Sequence, residues 1–195
     1  MQHLPTCTTN LDHALDSRCH SERSHKVAGN HTLLSFLQDD LEWDIALIKL
    51  SVPLDLARMI EVSSVRLPPT VQPENWPKAG EVCVLVGWGC TRVDGGPSTH
   101  AQMARFQVVA NKDCSQMYQH NAGLNEHHEF CAGYYNANLG ICPGDSGSGL
   151  VCNREGLWYL IGVASATHAT KPSKFPGLFT RVSHFRGWID KMTTA

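Results

Sequence analysis

Apolar residues along the chain come in short runs closed by turn residues. Ile45-Ala46-Leu47-Ile48-Lys49-Leu50 predicts a buried strand that stops at Pro53, and Val82-Cys83-Val84-Leu85-Val86 a second that Gly87 and Gly89 close. Leu160-Ile161-Gly162-Val163-Ala164 and Leu178-Phe179-Thr180-Arg181-Val182 follow the same form. Runs of this length, with Gly, Pro and Asn between them, predict an all-β sandwich or barrel. Two segments have a different period. Asn111 to Gln119 predicts a short helix with Cys114, Met117 and Tyr118 on one face. Val182, Phe185, Trp188, Ile189 and Met192 recur at helical spacing and predict a C-terminal α-helix. Trp88 and Trp188 read as core aromatics. Residues 1–29 hold His3, His13, His20 and His25, few aliphatics and no convincing strand, so they read as a degenerate N-terminal segment ahead of one domain over residues 30–195.

Composition narrows the function more than the fold. With 195 residues and 42% hydrophobic, the chain can bury one real core. Sixteen Lys and Arg against 18 Asp and Glu give a net charge of −2, which offers no electrostatic footprint for nucleic acid or an anionic membrane. No apolar run approaches the ~18 residues of a membrane span. Eight cysteines without a Cys-x-x-Cys pair point to disulfides and an extracellular setting rather than zinc or redox chemistry. Yet Met1-Gln2-His3-Leu4-Pro5-Thr6-Cys7 has neither the basic nor the apolar region of a signal peptide, so a missing natural front end is expected. His127-His128 and the N-terminal His/Cys cluster lack ligand spacing, so neither metal nor cofactor is expected. Asn30-His31-Thr32 is an N-glycosylation sequon for an exported chain.

The stretch that carries chemistry is Cys142-Pro143-Gly144-Asp145-Ser146-Gly147-Ser148-Gly149. A serine between Asp and Gly on a tight turn can present its hydroxyl outward. The N–H groups of Gly144 and Ser146 can then converge on one space, as stabilisation of an oxyanion requires. Around it stand Asp44-Ile45-Ala46-Leu47-Ile48-Lys49-Leu50, Gly87-Trp88-Gly89, Phe130-Cys131-Ala132-Gly133, Pro176-Gly177-Leu178-Phe179-Thr180-Arg181-Val182 and a terminal helix with Trp188-Ile189. This series resembles the chymotrypsin/trypsin (S1) family of serine endopeptidases from Asp44 to Met192.

The resemblance implies an all-β fold of two antiparallel β-barrels, the first incomplete here, followed by a C-terminal α-helix. It implies peptide-bond hydrolysis without a cofactor, a polypeptide substrate or protein partner, and a monomer. Ser146 matches the family's nucleophile and Asp44 its orienting aspartate. Gly144 and Ser146 match the oxyanion-hole donors, and Asp145 the aspartate that pairs with a new N-terminal ammonium after zymogen cleavage. Ser165, Ala166 and Thr167 match the edge strand that pairs with substrate. Gly140 stands where trypsin-like members carry an aspartate for Arg or Lys, and Gly177 keeps the back of the primary pocket small. The implied bridges are Cys83–Cys152 and Cys114–Cys131, with Cys7 and Cys19 as candidates for a first-barrel bridge. The usual partner of Cys142 is Thr170 here, so Cys142 and Cys90 are left over; the resemblance implies that Cys142 is either free or paired with Cys90, because in the family's fold the turn after Gly-Trp-Gly lies close to the oxyanion loop.

The match fails at the general base. A serine hydroxyl needs an imidazole to take its proton, and the family's Thr-Ala-Ala-His-Cys motif is absent. Val27-Ala28-Gly29-Asn30-His31-Thr32-Leu33 resembles the strand that follows that motif. Working upstream from it puts Arg18 of Asp16-Ser17-Arg18-Cys19 at the base position, and arginine stays protonated near neutral pH. His20 and His13 are the nearby alternatives. No Ile-Val-Gly-Gly activation sequence precedes Asp44, and ten residues separate Leu33 from Asp44, so the first barrel is expected to be short of strands. Two functions stay open: a serine endopeptidase, or a catalytically inactive homologue that binds partners.

Overall fold

The computed structural model describes residues 27–32, 44–59, 62–69, 76–92, 95–118 and 124–194. The front of the chain contributes β1 (Val27–Thr32) and β2 (Ala46–Leu50), an antiparallel pair with His31 opposite Leu47. Six strands then close a barrel: β3 (Val82–Gly87), β4 (Gln102–Val109), β5 (Glu129–Ala132), β6 (Gly149–Arg154), β7 (Leu157–Ala166) and β8 (Gly177–Arg181). Their order around it is β3-β4-β5-β8-β7-β6, every contact antiparallel. Helix α1 (Asn111–Met117) joins β4 to β5, and α2 (Val182–Thr193) follows β8 directly.

Alternation explains the barrel wall. In β3, Cys83, Leu85 and Gly87 point inward while Val82 stands exposed, as the two-residue period of a strand requires. The barrel interior joins Leu85, Phe106, Val108, Phe130, Leu150, Ile161, Ala164 and Phe179. Phe130 stacks on Phe179 with ring centroids 5.7 Å apart. The Cys83–Cys152 bridge links the neighbouring strands β3 and β6 within this cluster, and Cys114–Cys131 ties α1 to β5. A second apolar cluster sits beneath α2, where Val182, Phe185 and Ile189 close over Ile45 with Leu160 and Val163 against them. Burial of these side chains docks the front of the chain onto the barrel. Thr180 on β8 adds a hydrogen bond of 2.8 Å from its hydroxyl to the carbonyl of Asp44.

Three expectations need correction. The run beginning at Ile45 is not a buried strand throughout: Ile45 is buried, but Ile48 is 49% exposed. Among the described residues β2 pairs only with β1, and a two-stranded sheet has no second layer to cover both faces. Val182 opens α2 rather than ending β8. Trp88 is only half-buried, and Trp188 packs at the margin of the α2 cluster. Among the described residues the buried tryptophan is Trp76, edge-on to Tyr159 and covered by the Arg154 guanidinium 4.3 Å from its ring. Arg154 is held there by two hydrogen bonds to the Glu81 carboxylate, at 2.8 and 2.9 Å.

Phe179 contacts both flanking aromatics and is fully buried. Phe179→Ala should cost about 3–5 kcal/mol, read as a lower urea midpoint with an unchanged slope. A loss within ~0.5 kcal/mol, the range of ordinary surface changes, would show that the barrel interior is not packed as described.

Candidate active site

The segment from Cys142 to Ser148 is a pair of tight turns feeding β6. Gly144 and Gly147 have φ of +101° and +82°, a region that costs an L side chain strain. The N–H of Asp145 donates to the Cys142 carbonyl at 2.9 Å, that of Ser148 to the Asp145 carbonyl at 2.9 Å, and that of Gly147 to Ala164 of β7 at 2.8 Å. The N–H groups of Gly144 and Ser146 have no such partner among the described residues. Both residues are exposed. The turn therefore spends its neighbouring donors internally and leaves open the two that the sequence singles out.

Beneath the turn lies Asp145, 8% exposed. It is not solvated. One carboxylate oxygen accepts the N–H of Gly89 at 2.8 Å and the other the N–H of Cys142 at 3.0 Å. A Cβ on Gly89 or Gly87 would fall onto this carboxylate, so the Gly-Trp-Gly segment is glycine-rich because an acid lies against it. Burial pushes the Asp145 carboxyl above its ordinary value, and the two backbone donors oppose that only in part. A third tie is covalent: Cys142 pairs with Cys90, one residue beyond Gly89.

On the flank, β7 runs past Ser165, Ala166 and Thr167. Its ladder to β6 ends at Gly149 opposite Val163, while its ladder to β8 continues to Ala166 opposite Leu178. After Ala164, which exchanges hydrogen bonds with the turn through Gly147 and Ser148, the β6 side of the strand has no partner among the described residues. The Ser165 hydroxyl is buried without a hydrogen bond. Gly140 lies against the Pro172 carbonyl, where a Cβ would collide with it. Gly177 lies against Ile141, whose Cδ1 and Cγ1 would stand 2.8 Å from a Cβ there. Sequence reasoning passed over Ile141. It is buried in the barrel core, and its apolar type beside Gly140 was the available signal. His168, also passed over, stacks on Phe175 at 4.1 Å and accepts the N–H groups of Thr170 and Lys171 on Nδ1, which leaves its ring proton on Nε2.

Asp44 is half-buried, and its backbone carbonyl is anchored to Thr180. The Ser146 hydroxyl makes no hydrogen bond among the described residues. Arg18, His13, His20, Cys7 and Cys19 lie outside the described residues.

The Trypsin family model matches residues 7–189. The chain belongs to the trypsin family. Transmembrane protease serine 9 of Rattus norvegicus is 33% identical over 151 residues, which are 76% of this chain and 13% of that protein. Transmembrane protease serine 7 of Homo sapiens is 35% identical over 155 residues, 77% of this chain and 17% of that protein. The Mus musculus protein of the same name is 34% identical, covering 77% and 18%. The chain thus spans less than a fifth of these relatives' length. No helix of the described residues is long and apolar enough to cross a membrane. Among the described residues, the closed barrel, the C-terminal helix and three disulfides accompany a first barrel represented by two strands, as in a trypsin-family domain.

The Asp145 environment fixes a pH dependence. Its folded value is raised above the unfolded one, so the folded state holds the proton more tightly. That stabilisation is present below the unfolded value of ~3.9 and is lost as pH rises through the folded value. Relative to Asp145→Asn, the wild-type chain should therefore lose stability across that window and then level off. Urea midpoints measured over a pH series check this, and a constant difference between the two proteins would contradict it.

Proposed function

We propose that this trypsin-family chain carries the substrate-facing part of a serine endopeptidase and, by itself, holds polypeptide in that cleft without turning it over. The observation that carries this reading is the exposed Ser146 hydroxyl, which has no hydrogen-bond partner among the described residues, beside two open N–H groups. In the acyl-transfer reaction Ser146 Oγ attacks the peptide carbonyl carbon. The developing oxyanion takes the N–H groups of Gly144 and Ser146, and the serine proton must pass to an imidazole that later returns it to the leaving amine. Asp44 would orient that imidazole. Arg18 at the aligned base position cannot accept the proton near neutral pH.

Substrate contact in this reading is mostly through the backbone. The unpaired side of β7 from Ser165 to Thr167 offers a polypeptide one strand to pair with. The primary pocket presents no carboxylate at Gly140, and Ile141 packs on Gly177. An unpaired cation buried there would cost several kcal/mol. The three disulfides favour an extracellular setting.

A fluorophosphonate probe should label the purified chain no faster than a Ser146→Ala control. Stoichiometric labelling that disappears in the control would overturn the non-catalytic reading and establish an active peptidase. Any turnover found on a peptide library should fall after small or apolar residues. A strong preference for Arg or Lys would contradict the assignment of Gly140, Ile141 and Gly177 to the pocket.

A further inference from the structure

The three described bridges differ in their surroundings. Cys83, Cys152, Cys114 and Cys131 are each 0% exposed, sealed in the barrel interior or beneath α1. Cys90 and Cys142 are only half-buried. Their bridge joins positions 52 residues apart and fastens the Cys142–Ser148 turn to the segment after Gly-Trp-Gly. Nearby, Asp145 accepts the N–H groups of Gly89 and Cys142. A Cβ on Gly144 would stand 3.2 Å from Gly89 Cα. One covalent tie and one hydrogen bond thus join the turn to the two residues Gly89–Cys90, while the bond from Cys142 to Asp145 lies within the turn itself. The turn's remaining fixed points, the bonds of Gly147 and Ser148 to Ala164, lie at its far end.

We propose that the Cys90–Cys142 bridge is a thiol-exchange site, a clasp that sets the Gly144–Ser146 turn and is opened by small thiols while the other two bridges stay closed. That this turn receives an oxyanion rests on the function proposed above; the clasp itself does not. Thiol–disulfide exchange requires a thiolate to reach a sulfur, and among the described bridges only this one has solvent beside it. A small-molecule thiolate attacks one sulfur of the bridge, forms a mixed disulfide and expels the other cysteine as thiolate, which takes a proton. A second thiol attacks the small-molecule sulfur of that mixed disulfide. It leaves as the small-molecule disulfide, and the second cysteine thiolate takes a proton. The bridge gains two electrons and two protons from two thiols. Once open, Cys142 is no longer held to Cys90. The Asp145 carboxylate then pays its burial cost against a segment free to move away, so the two open N–H groups lose their fixed direction. Cys90 and Cys142 are positioning residues in this scheme.

The test uses the 195-residue chain in its folded state. Dithiothreitol is titrated in without denaturant, and aliquots are alkylated and mapped by mass. Cys90 and Cys142 should be alkylated about tenfold or more faster than Cys83, Cys114, Cys131 and Cys152. Reduction of the three bridges together, or of a buried bridge first, overturns the proposal. Amide exchange follows on the selectively reduced protein and on a Cys90→Ser/Cys142→Ser variant. Exchange at Asp145 and Ser148 should rise about tenfold or more, with Leu150 and Ile161 in the barrel unchanged. Equal rates at the turn with the bridge open overturn the clasp. If the variant does not fold, the thiol-treated wild-type protein alone decides. None of these readouts measures turnover, so an active enzyme in the fluorophosphonate assay would defeat the proposed function and leave the clasp standing.

Discussion

A buried carboxylate governs how the turn bearing Ser146 can sit. Asp145 lies under the chain, and a charge so placed must be met by donors or it will not stay ionised. Both donors are backbone N–H groups, one from Gly89 and one from its own turn at Cys142. Backbone donors cannot be supplied by side-chain choice. The chain must bring the 87–90 segment within hydrogen-bond reach, which forbids a Cβ at Gly87 or Gly89 on the side facing the acid. Two motifs far apart in sequence, Gly87-Trp88-Gly89 and Gly144-Asp145-Ser146-Gly147, are therefore one physical unit. The raised value of Asp145 shows that its two donors do not fully offset its burial.

The barrel makes that unit rigid. Gly87 is the last residue of β3 and Gly149 the first of β6, and these two strands pair through Val84 with Val151 and Leu85 with Leu150. The carboxylate thus spans the ends of two adjacent strands whose register the core fixes. Leu85 and Leu150 are buried side by side in the same apolar cluster as Ile141 and Phe179. Since cores of this density transmit small changes in volume, packing around Phe179 bears on the turn as well as on stability.

Local pattern foretold the elements whose burial is set by the chain's own period. β3, β7, β8, α1 and α2 all appear near their expected positions, because alternation or helical spacing already separates a core face from a wet one. What escaped was decided by partners elsewhere. Ile48 reads as core in any hydropathy pattern and is exposed, its sheet having two strands among the described residues. Trp76, set among prolines and polar residues, is buried because Arg154 and Tyr159 from the β6–β7 hairpin close on it. Within the site, residue types and spacing made the Cys142–Gly149 turn legible. The resemblance left Cys142 either free or paired with Cys90, and the structure forms that bridge because the segment after Gly89 folds beside the turn. The base position could be framed only by alignment, and Arg18, His13 and His20 lie outside the described residues.

Gly140, Ile141 and Gly177, the proposed pocket residues, carry the last consequence. Gly140 leaves no room for a side chain beside the Pro172 carbonyl, so a carboxylate could not be introduced there without moving the single turn at Pro172–Lys174. Ile141 packs on Gly177 and belongs to the barrel core, so it cannot swing aside without exposing apolar area that the core gains by burying. A ligand on this face thus has little to gain from a long side chain placed between Gly140 and Gly177. What remains is the side of β7 beyond Ala164 that has no partner among the described residues and the two open N–H groups of the turn, which on the proposed reading would recognise backbone rather than side chain. On the proposed reading, recognition here depends on an extended polypeptide segment of modest side-chain demand. Its orientation would be set by β-pairing, a geometry that the fixed register of β7 against β8 already imposes.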